Sequence, residues 1–432
     1  MAIKVTGEMI IPASDRGFCV DIQERYTHAH GLRRVRYIMK TSEPDFYNGR
    51  VVCYSEDNGR TWGAEENMYA GDFIASPDGS WEILNFDIYA DVYNPIHRHF
   101  VDFRIERIFK GGRKAAYVEF FEKGRQGFSD HCYLLVRRED GGGITSDFVQ
   151  YEQGSEFNPE NPLDTSYFSK NTGWCSIPHI TKNGDVLFIL SAPVSACCRI
   201  LGSDVQEIFP SNPDIMCGMI ICRGKWNGKN YDLTFSRPVI ISDLQSSRGM
   251  DEPTIAELGS GRILVVFRGS NVKSEDWNTR IEPGAPGFKW YCYSDDGGKT
   301  FIQPMPWRFD DGEVIYSSAT VSHFIRIAGN KKLYWVGNIT DHRVNGNYPR
   351  WPLQIVEVDE KYGTAKKESL TVIDTRRDWE SEMVQLSNFS MLEDRETGNI
   401  ELRLVKLGQF EGDDSIYRAE TWKYRICFND RQ

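Results

Sequence analysis

An acid and a base sit at the two ends of what reads as one hairpin. Asp251-Glu252-Pro253-Thr254 opens a β-type run, and Arg268, in Val266-Phe267-Arg268-Gly269-Ser270, closes the returning run. Between them lie the strand-like Thr254–Leu258, the turn Gly259-Ser260-Gly261 and the strand-like Ile263–Phe267. Alternate residues of a strand share a face and a hairpin doubles the chain back, so the Glu252 carboxylate and the Arg268 guanidinium come out at one end. Such a pair is either a strand-end ion pair of little energetic weight or a proton acceptor beside an anion-binding cation. Further guanidinium groups that could join an anion site are Arg350, in Asn347-Tyr348-Pro349-Arg350-Trp351, and Arg16, ahead of Gly17-Phe18-Cys19-Val20. Histidines supply a second chemistry. His97 and His99, two apart, would face one side of a strand as metal ligands or a proton shuttle, and His179 stands at the start of an inner-strand run. No third ligand has a metal-site spacing, so no metal and no cofactor is expected.

These side chains need a scaffold that brings distant segments together, and the chain advertises one twice. Ser55-Glu56-Asp57-Asn58-Gly59-Arg60-Thr61-Trp62 and Ser294-Asp295-Asp296-Gly297-Gly298-Lys299-Thr300-Phe301 share the pattern Ser-x-Asp-x-Gly-x-Thr-aromatic, about 240 residues apart, each after a β-type run. A short Asp side chain can cap free backbone N–H groups, Gly supplies the positive φ, and the aromatic anchors the return strand. A weaker version lies at Arg138–Ile144. Inner hairpins read as Ile177–Thr181 with Val186–Leu190, and as Thr254–Leu258 with Ile263–Phe267. First strands are expected near Arg16, His99, Trp174, Asp251, Tyr316 and Gln385, a spacing of about 65 to 85 residues. That makes six repeats with long loops. Closure would pair Glu8–Pro12 with a late strand such as Ile400–Leu404.

The repeated turn resembles the Asp box of the sialidase superfamily, which implies an all-β, six-bladed β-propeller, here expected as a single domain over residues 1–432. In that family three arginines hold a substrate carboxylate, an Asp is acid/base, and a Glu activates a Tyr nucleophile. Glu252 matches the Glu-Pro opening of a blade and Arg268 and Arg350 two of the arginines. Arg16 is the nearest match to the remaining one, although the Arg-Ile-Pro wording is absent. The acid/base falls in Thr41–Asn48, where Glu43 and Asp45 are the carboxylates on offer. The nucleophile position departs from the family: Val384-Gln385-Leu386-Ser387 places Leu386 where Tyr would stand. Leucine cannot attack an anomeric carbon. The resemblance then implies an exo-glycoside hydrolase on a carbohydrate bearing an anionic group, with Glu252 as base and Glu43 or Asp45 as acid. Tyr316 is a substitute nucleophile or rim contact and His179 a further sugar contact. The alternatives are a non-catalytic carbohydrate-binding propeller and a polysaccharide lyase using His or Tyr.

Composition fits many short strands: 432 residues with 38 Gly, 18 Pro and 13% aromatics. A formal net charge of −11 without a dense Lys/Arg run argues against nucleic acid or anionic membrane as partner, leaving a small saccharide or glycan terminus. The N-terminal residues show no signal-peptide pattern, so a cytoplasmic location is expected. Ten Cys in apolar runs without CxxC spacing read as reduced core thiols.

Overall fold

Alternating and fully apolar runs form strands as their patterns predict. The computed structural model describes the chain apart from residues 1–2, 43–48, 69–71, 88–90, 140–142, 155–157, 159, 162, 274–277, 413–414 and 429–432. After β1 (Ile3–Ile11), the first sheet holds β2 (Cys19–Tyr26), β3 (Arg34–Thr41), β4 (Gly49–Ser55) and β5 (Glu66–Asn67). The second holds β6 (Asp72–Ala75), β7 (Trp81–Asp87), β8 (Val92–Asn94), β9 (His99–Lys110), β10 (Phe128–Arg138) and β11 (Ile144–Phe148). The third holds β12 (Trp174–Cys175), β13 (His179–Ile180), β14 (Val186–Pro193), β15 (Cys217–Trp226) and β16 (Tyr231–Phe235). The fourth comprises β17 (Asp251–Glu257), β18 (Ile263–Arg268), β19 (Lys289–Ser294) and β20 (Met305–Pro306). The fifth comprises β21 (His323–Arg326), β22 (Leu333–Asn338), β23 (Leu353–Glu357) and β24 (Thr371–Asp374). The sixth is built from β25 (Gln385–Glu393), β26 (Ile400–Leu407) and β27 (Thr421–Phe428), completed by β1. Six antiparallel four-stranded or slightly larger sheets make this a six-bladed β-propeller.

By backbone contacts the chain divides into two units. One comprises Met1–Ala70, Pro286–Lys289 and Pro306–Gln432 and contains the first, fifth and sixth sheets; the other comprises Gly71–Ala285 and Trp290–Met305 and contains the second, third and most of the fourth. In the second unit, Val101, Phe103 and Ile105 of β9 pack with Phe188 and Leu190 of β14 and with Cys132, Cys175 and Cys222. In the first, Tyr334 and Val336 of β22 pack with Ile355, Leu386, Leu402 and Leu404. All ten cysteines are free, eight of them buried, and burial pushes thiols such as Cys175 and Cys222 far above their ordinary range. They are packing residues.

The sheets depart from the expected starts in three places. His99 opens the central strand of its sheet, not the first, because β7 and β8 both pair with β9 and Asn94–His99 is a tight turn in which Asn94 Oδ1 accepts from the Ile96 and His97 N–H groups. Tyr316 precedes β21 and makes isolated bridges to Phe288 and Thr340. The N-terminal strand pairs with β27, one strand further out than β26, in a register running from Ile3 opposite Phe428 to Ile11 opposite Thr421.

The two repeated turns are superimposable in their bonding. Asp57 Oδ1 accepts from Arg60 N (3.1 Å) and Thr61 N (2.8 Å) and its Oδ2 from Thr61 Oγ1 (2.7 Å); Asp296 takes Lys299 N (3.0 Å), Thr300 N (3.0 Å) and Thr300 Oγ1 (2.6 Å). Ser55 and Ser294 each accept the N–H of the glycine four residues on, at 2.8 and 2.9 Å. These bonds hold the Asp57 carboxyl down to about 2, the Thr61 hydroxyl contributing most. Both turns link the third strand of a sheet to its fourth.

Candidate functional site

The head of β17 is irregular for a reason visible in its residues. Asp251 pairs with Arg268 and Thr254 with Val266, so Glu252 and Pro253 form a bulge; Pro has no N–H to give the ladder. Glu252 takes a φ of 44°, rare for a residue with a Cβ and worth about 1–3 kcal/mol of strain. The bulge brings the Glu252 side chain back over the hairpin. Its Oε2 lies 2.9 Å from Arg268 Nη1, while Arg268 Nη2 donates to Asp251 Oδ2 at 2.8 Å. The guanidinium is 11% exposed and the Glu252 side chain 34%, so a nearly buried cation carries a carboxylate that still meets solvent. Burial alone would raise the Asp251 carboxyl, but Arg268 and Arg248 outweigh it and hold it below its ordinary value. Two carboxylates and two guanidinium groups balance here.

Gly249 sets how close this head can approach its neighbour. It has φ 72° and bridges Cys217, and a Cβ there would fall 2.2 Å from the Cys217 carbonyl oxygen. Burial and the Asp251 charge push the Cys217 thiol up to about 12, and the same thiol feels Asp130. Asp130 of β10 receives a bidentate pair from Arg107 of β9, Nε and Nη2 at 2.7 Å each. The Arg107 guanidinium stands 5.7 Å from the ring of Trp174, the first residue of β12 and 40% exposed. Arg107, Asp130 and Trp174 were not among the expected site residues. The only sequence signal was Trp174 at a strand start, since the Arg107–Asp130 pairing depends on the register of two strands twenty residues apart.

The remaining expected residues fall in different surroundings. Within the first unit, Arg350 is half-buried between two cis prolines, donating from Nε to Asn347 O (3.1 Å) and from Nη1 to Gln385 Oε1 (2.8 Å). Gln385 also donates to Tyr348 Oη at 3.2 Å. Leu386 beside it is fully buried in the core. Tyr316 stacks on Phe288 with ring centroids 5.5 Å apart, and Arg16 lies in an exposed turn before β2. Glu43 and Asp45 lie outside the described residues. In the second unit, His179 Nε2 accepts the Glu257 N–H at 3.1 Å, which puts it at the opposite end of β17 from Glu252. His99 bonds to Tyr231 Oη at 2.8 Å and is held down to about 4, chiefly by burial. A residue not foreseen in the first unit is Asp21 of β2, whose carboxyl burial pushes up to about 6 against a bond from Gln23. A carboxyl that titrates there suits proton donation.

No protein-family model matches the chain, and no curated protein does. Among solved structures, it is similar to a protein of unknown function from Dyadobacter fermentans, with 13% identity and a TM-score of 0.56 over 98% of this chain and 99% of that one. It is also similar to the sialidase of Trypanosoma rangeli, with 11% identity and a TM-score of 0.47 over 96% of this chain and 55% of that one. An α-L-arabinofuranosidase from Fusarium graminearum, in complex with an iminosugar inhibitor, is 12% identical with a TM-score of 0.45 over 97% of this chain and 96% of that one. At such identities the likeness is one of fold. No described helix is long and apolar enough to cross a membrane.

Proposed function

We propose that the protein is a glycoside hydrolase in which Glu252 is the base that activates water. The observation that carries this reading is the strained, half-exposed Glu252 carboxylate 2.9 Å from the nearly buried Arg268. Backbone strain at a residue whose carboxylate still meets solvent supports a functional role for it. Arg268 orients the carboxylate, which takes a proton from water as the sugar–oxygen bond breaks. The leaving-group proton would come from Glu43 or Asp45, the acids that the sequence offers ahead of the first repeated turn. Arg350 is the anchor for a substrate carboxylate, with Arg16 a weaker one, and Tyr316 is assigned to sugar contact on sequence grounds; His179, at the far end of β17 from Glu252, has no part in this site. With Leu386 sealed in the core, position 386 supplies no nucleophile, so a double displacement through that residue is excluded from the mechanism.

The test is a panel of aryl glycosides, sialosides and uronides among them, with product analysis. Glu252→Gln should lower turnover by about 10²–10⁴ on a cleaved substrate while the melting temperature holds. Unchanged rates refute the assignment. Saturable glycan binding with no product at high protein concentration would favour a binding module instead. Sialoside cleavage should be weak, and efficient retaining cleavage would overturn the reading of position 386.

A further inference from the structure

Residues Ser246–Met250 lead into β17 as a turn of buried residues, with Arg248 the exception. Ser246, Ser247 and Met250 are each at most 1% exposed. Ser246 Oγ donates to Gly249 O at 2.6 Å and accepts from Ser270 N at 3.0 Å, the Ser247 N–H reaches Ser270 O at 2.8 Å, and the Met250 N–H reaches Cys217 O at 2.7 Å. The turn is thus pinned on one side to the residues after Arg268 and on the other to the head of β15. Arg248 stands between those anchors, half-buried. Among the described residues it makes no hydrogen bond and no ion pair, and its guanidinium nitrogens still meet water. Its charge acts on Asp251 and on the Cys217 thiol, which places it beside the strand head that carries Glu252. Arg268 is committed by comparison: Nη1 faces Glu252 at 2.9 Å and Nη2 donates to Asp251 at 2.8 Å. The other Asp251 oxygen takes the Glu252 N–H at 3.0 Å, so neither is left for Arg248. A guanidinium held partly out of water without an acceptor forgoes the bonds that offset its desolvation.

We propose that Arg248 receives the acidic group of the substrate sugar, its planar fork taking a carboxylate through two parallel N–H···O bonds beside Glu252. This inference rests on the reading of Glu252 as the base and makes the substrate at that site a carboxylated sugar. The backbone bonds of the turn fix Arg248 before a ligand arrives, so binding orders little more than one side chain. A neutral sugar gains nothing from it.

The full chain is titrated with methyl glycosides of glucuronate, galacturonate and N-acetylneuraminate, with methyl glucoside and galactoside, and with acetate, following saturation-transfer NMR and heat, while product is assayed in parallel. At least one carboxylated glycoside should bind saturably, ahead of the neutral ones and of acetate. Arg248→Ala should weaken it at least about tenfold, equivalent to about 1.4 kcal/mol, and on a cleaved substrate should raise KM far more than it lowers kcat. Arg248→Lys keeps the charge that Asp251 faces but not the fork, so it should still bind the acidic glycoside more weakly than the native chain, and it decides the matter if the alanine variant does not fold. Selective binding without product would refute the hydrolase reading and leave Arg248 in its role. The inference is overturned if no carboxylated glycoside saturates, if acetate binds as tightly, if Arg248→Ala leaves acidic glycosides unaffected or weakens neutral ones equally, or if Arg248→Lys binds as the native chain does.

Discussion

Asp21 and Asp251 each lie at or near the head of a sheet's inner strand, yet their surroundings drive them in opposite directions. Burial raises Asp21 to about 6, whereas Arg268 and Arg248 overcome burial and hold Asp251 low. For Asp21 the folded chain holds its proton more tightly than the unfolded one, so it binds more protons between about pH 4 and pH 6. Stability from this group is therefore present below pH 4 and lost as pH rises through 6. Asp21→Asn is expected to stabilise the protein by about 1–3 kcal/mol at pH 7, since each tenfold change in proton affinity is worth about 1.36 kcal/mol, and by nothing near pH 3. Urea midpoints of both proteins across that range check it, and equal midpoints at pH 7 would contradict the assigned environment. Nothing in the sequence distinguishes these two aspartates, because the cations that decide between them arrive through folding. Glu252 and Arg268 were legible because one short hairpin joins them. Arg107, Asp130 and Trp174 were not, since their meeting needs the register of β9 on β10 and a third segment beyond.

At the level of elements, the repeated turns were readable because nearly every bond that defines them closes within seven residues. What lay hidden is the extra duty of the first. Asn58, at φ 66° where the second turn has Gly297, accepts from Tyr26 Oη (2.7 Å) and Arg34 Nε (2.9 Å) and donates to Asp394 Oδ2 (2.9 Å) and Glu396 Oε2 (2.6 Å). Arg34, 1% exposed, also bonds Glu401 at 2.7 Å and Asp394 at 2.6 Å, and Arg403 meets Glu24 at 2.6 Å. On β26, Ile400, Leu402 and Leu404 face the core, which leaves Glu401 and Arg403 on the other face for this network. The first and sixth sheets are thus clasped by charge, and removing one partner strands the others out of water. Asn58→Gly copies the second turn and relieves the backbone, yet it should destabilise by about 2–4 kcal/mol. The urea midpoint measures this, and a neutral outcome would show that water replaces the lost amide. Asp394, Glu396 and Glu401 lie more than three hundred residues from Asn58 and Arg34 in the chain, so no local pattern announces them.

For the molecule as a whole, acid is the expected weakness. His99 and His323 are held down to about 4 and His131 to about 3, each mainly by burial, so the folded chain refuses protons that the unfolded chain takes up near 6.5. The unfolded state binds more protons in that interval, and stability present above pH 6.5 is lost as pH falls toward 4. Three histidines outweigh the opposite slope of Asp21 and together account for several kcal/mol, at about 1.36 kcal/mol for each tenfold loss of proton affinity. His131 is fully buried against Tyr167, with ring centroids 4.1 Å apart, and its partner is Ser129 at 2.7 Å. Replacing His131 with Gln should flatten the decline in melting temperature between pH 6.5 and 4; an unchanged slope would place the acid sensitivity elsewhere. The six-sheet architecture was foreseen from turn chemistry and strand rhythm. The starts of individual sheets shifted where an inner strand is interrupted, as at β7 and β8, because a break in one strand looks the same as the start of another.

β1 and β27 meet in antiparallel register with Ile3 beside Phe428, so the sixth sheet gains its outermost strand from the opposite end of the polypeptide. During synthesis β1 is made long before β27 and has no partner in its own sheet until the intervening strands and β27 itself have left the ribosome. For all that time its amide edge and its partially apolar face stay available to other chains or to chaperones. Joining the end of β27 to the start of β1 and opening the chain after Ile11 would turn this longest of contacts into a neighbouring hairpin. Topologically nothing in the sheets would change, yet the slowest search in assembly would become a local one.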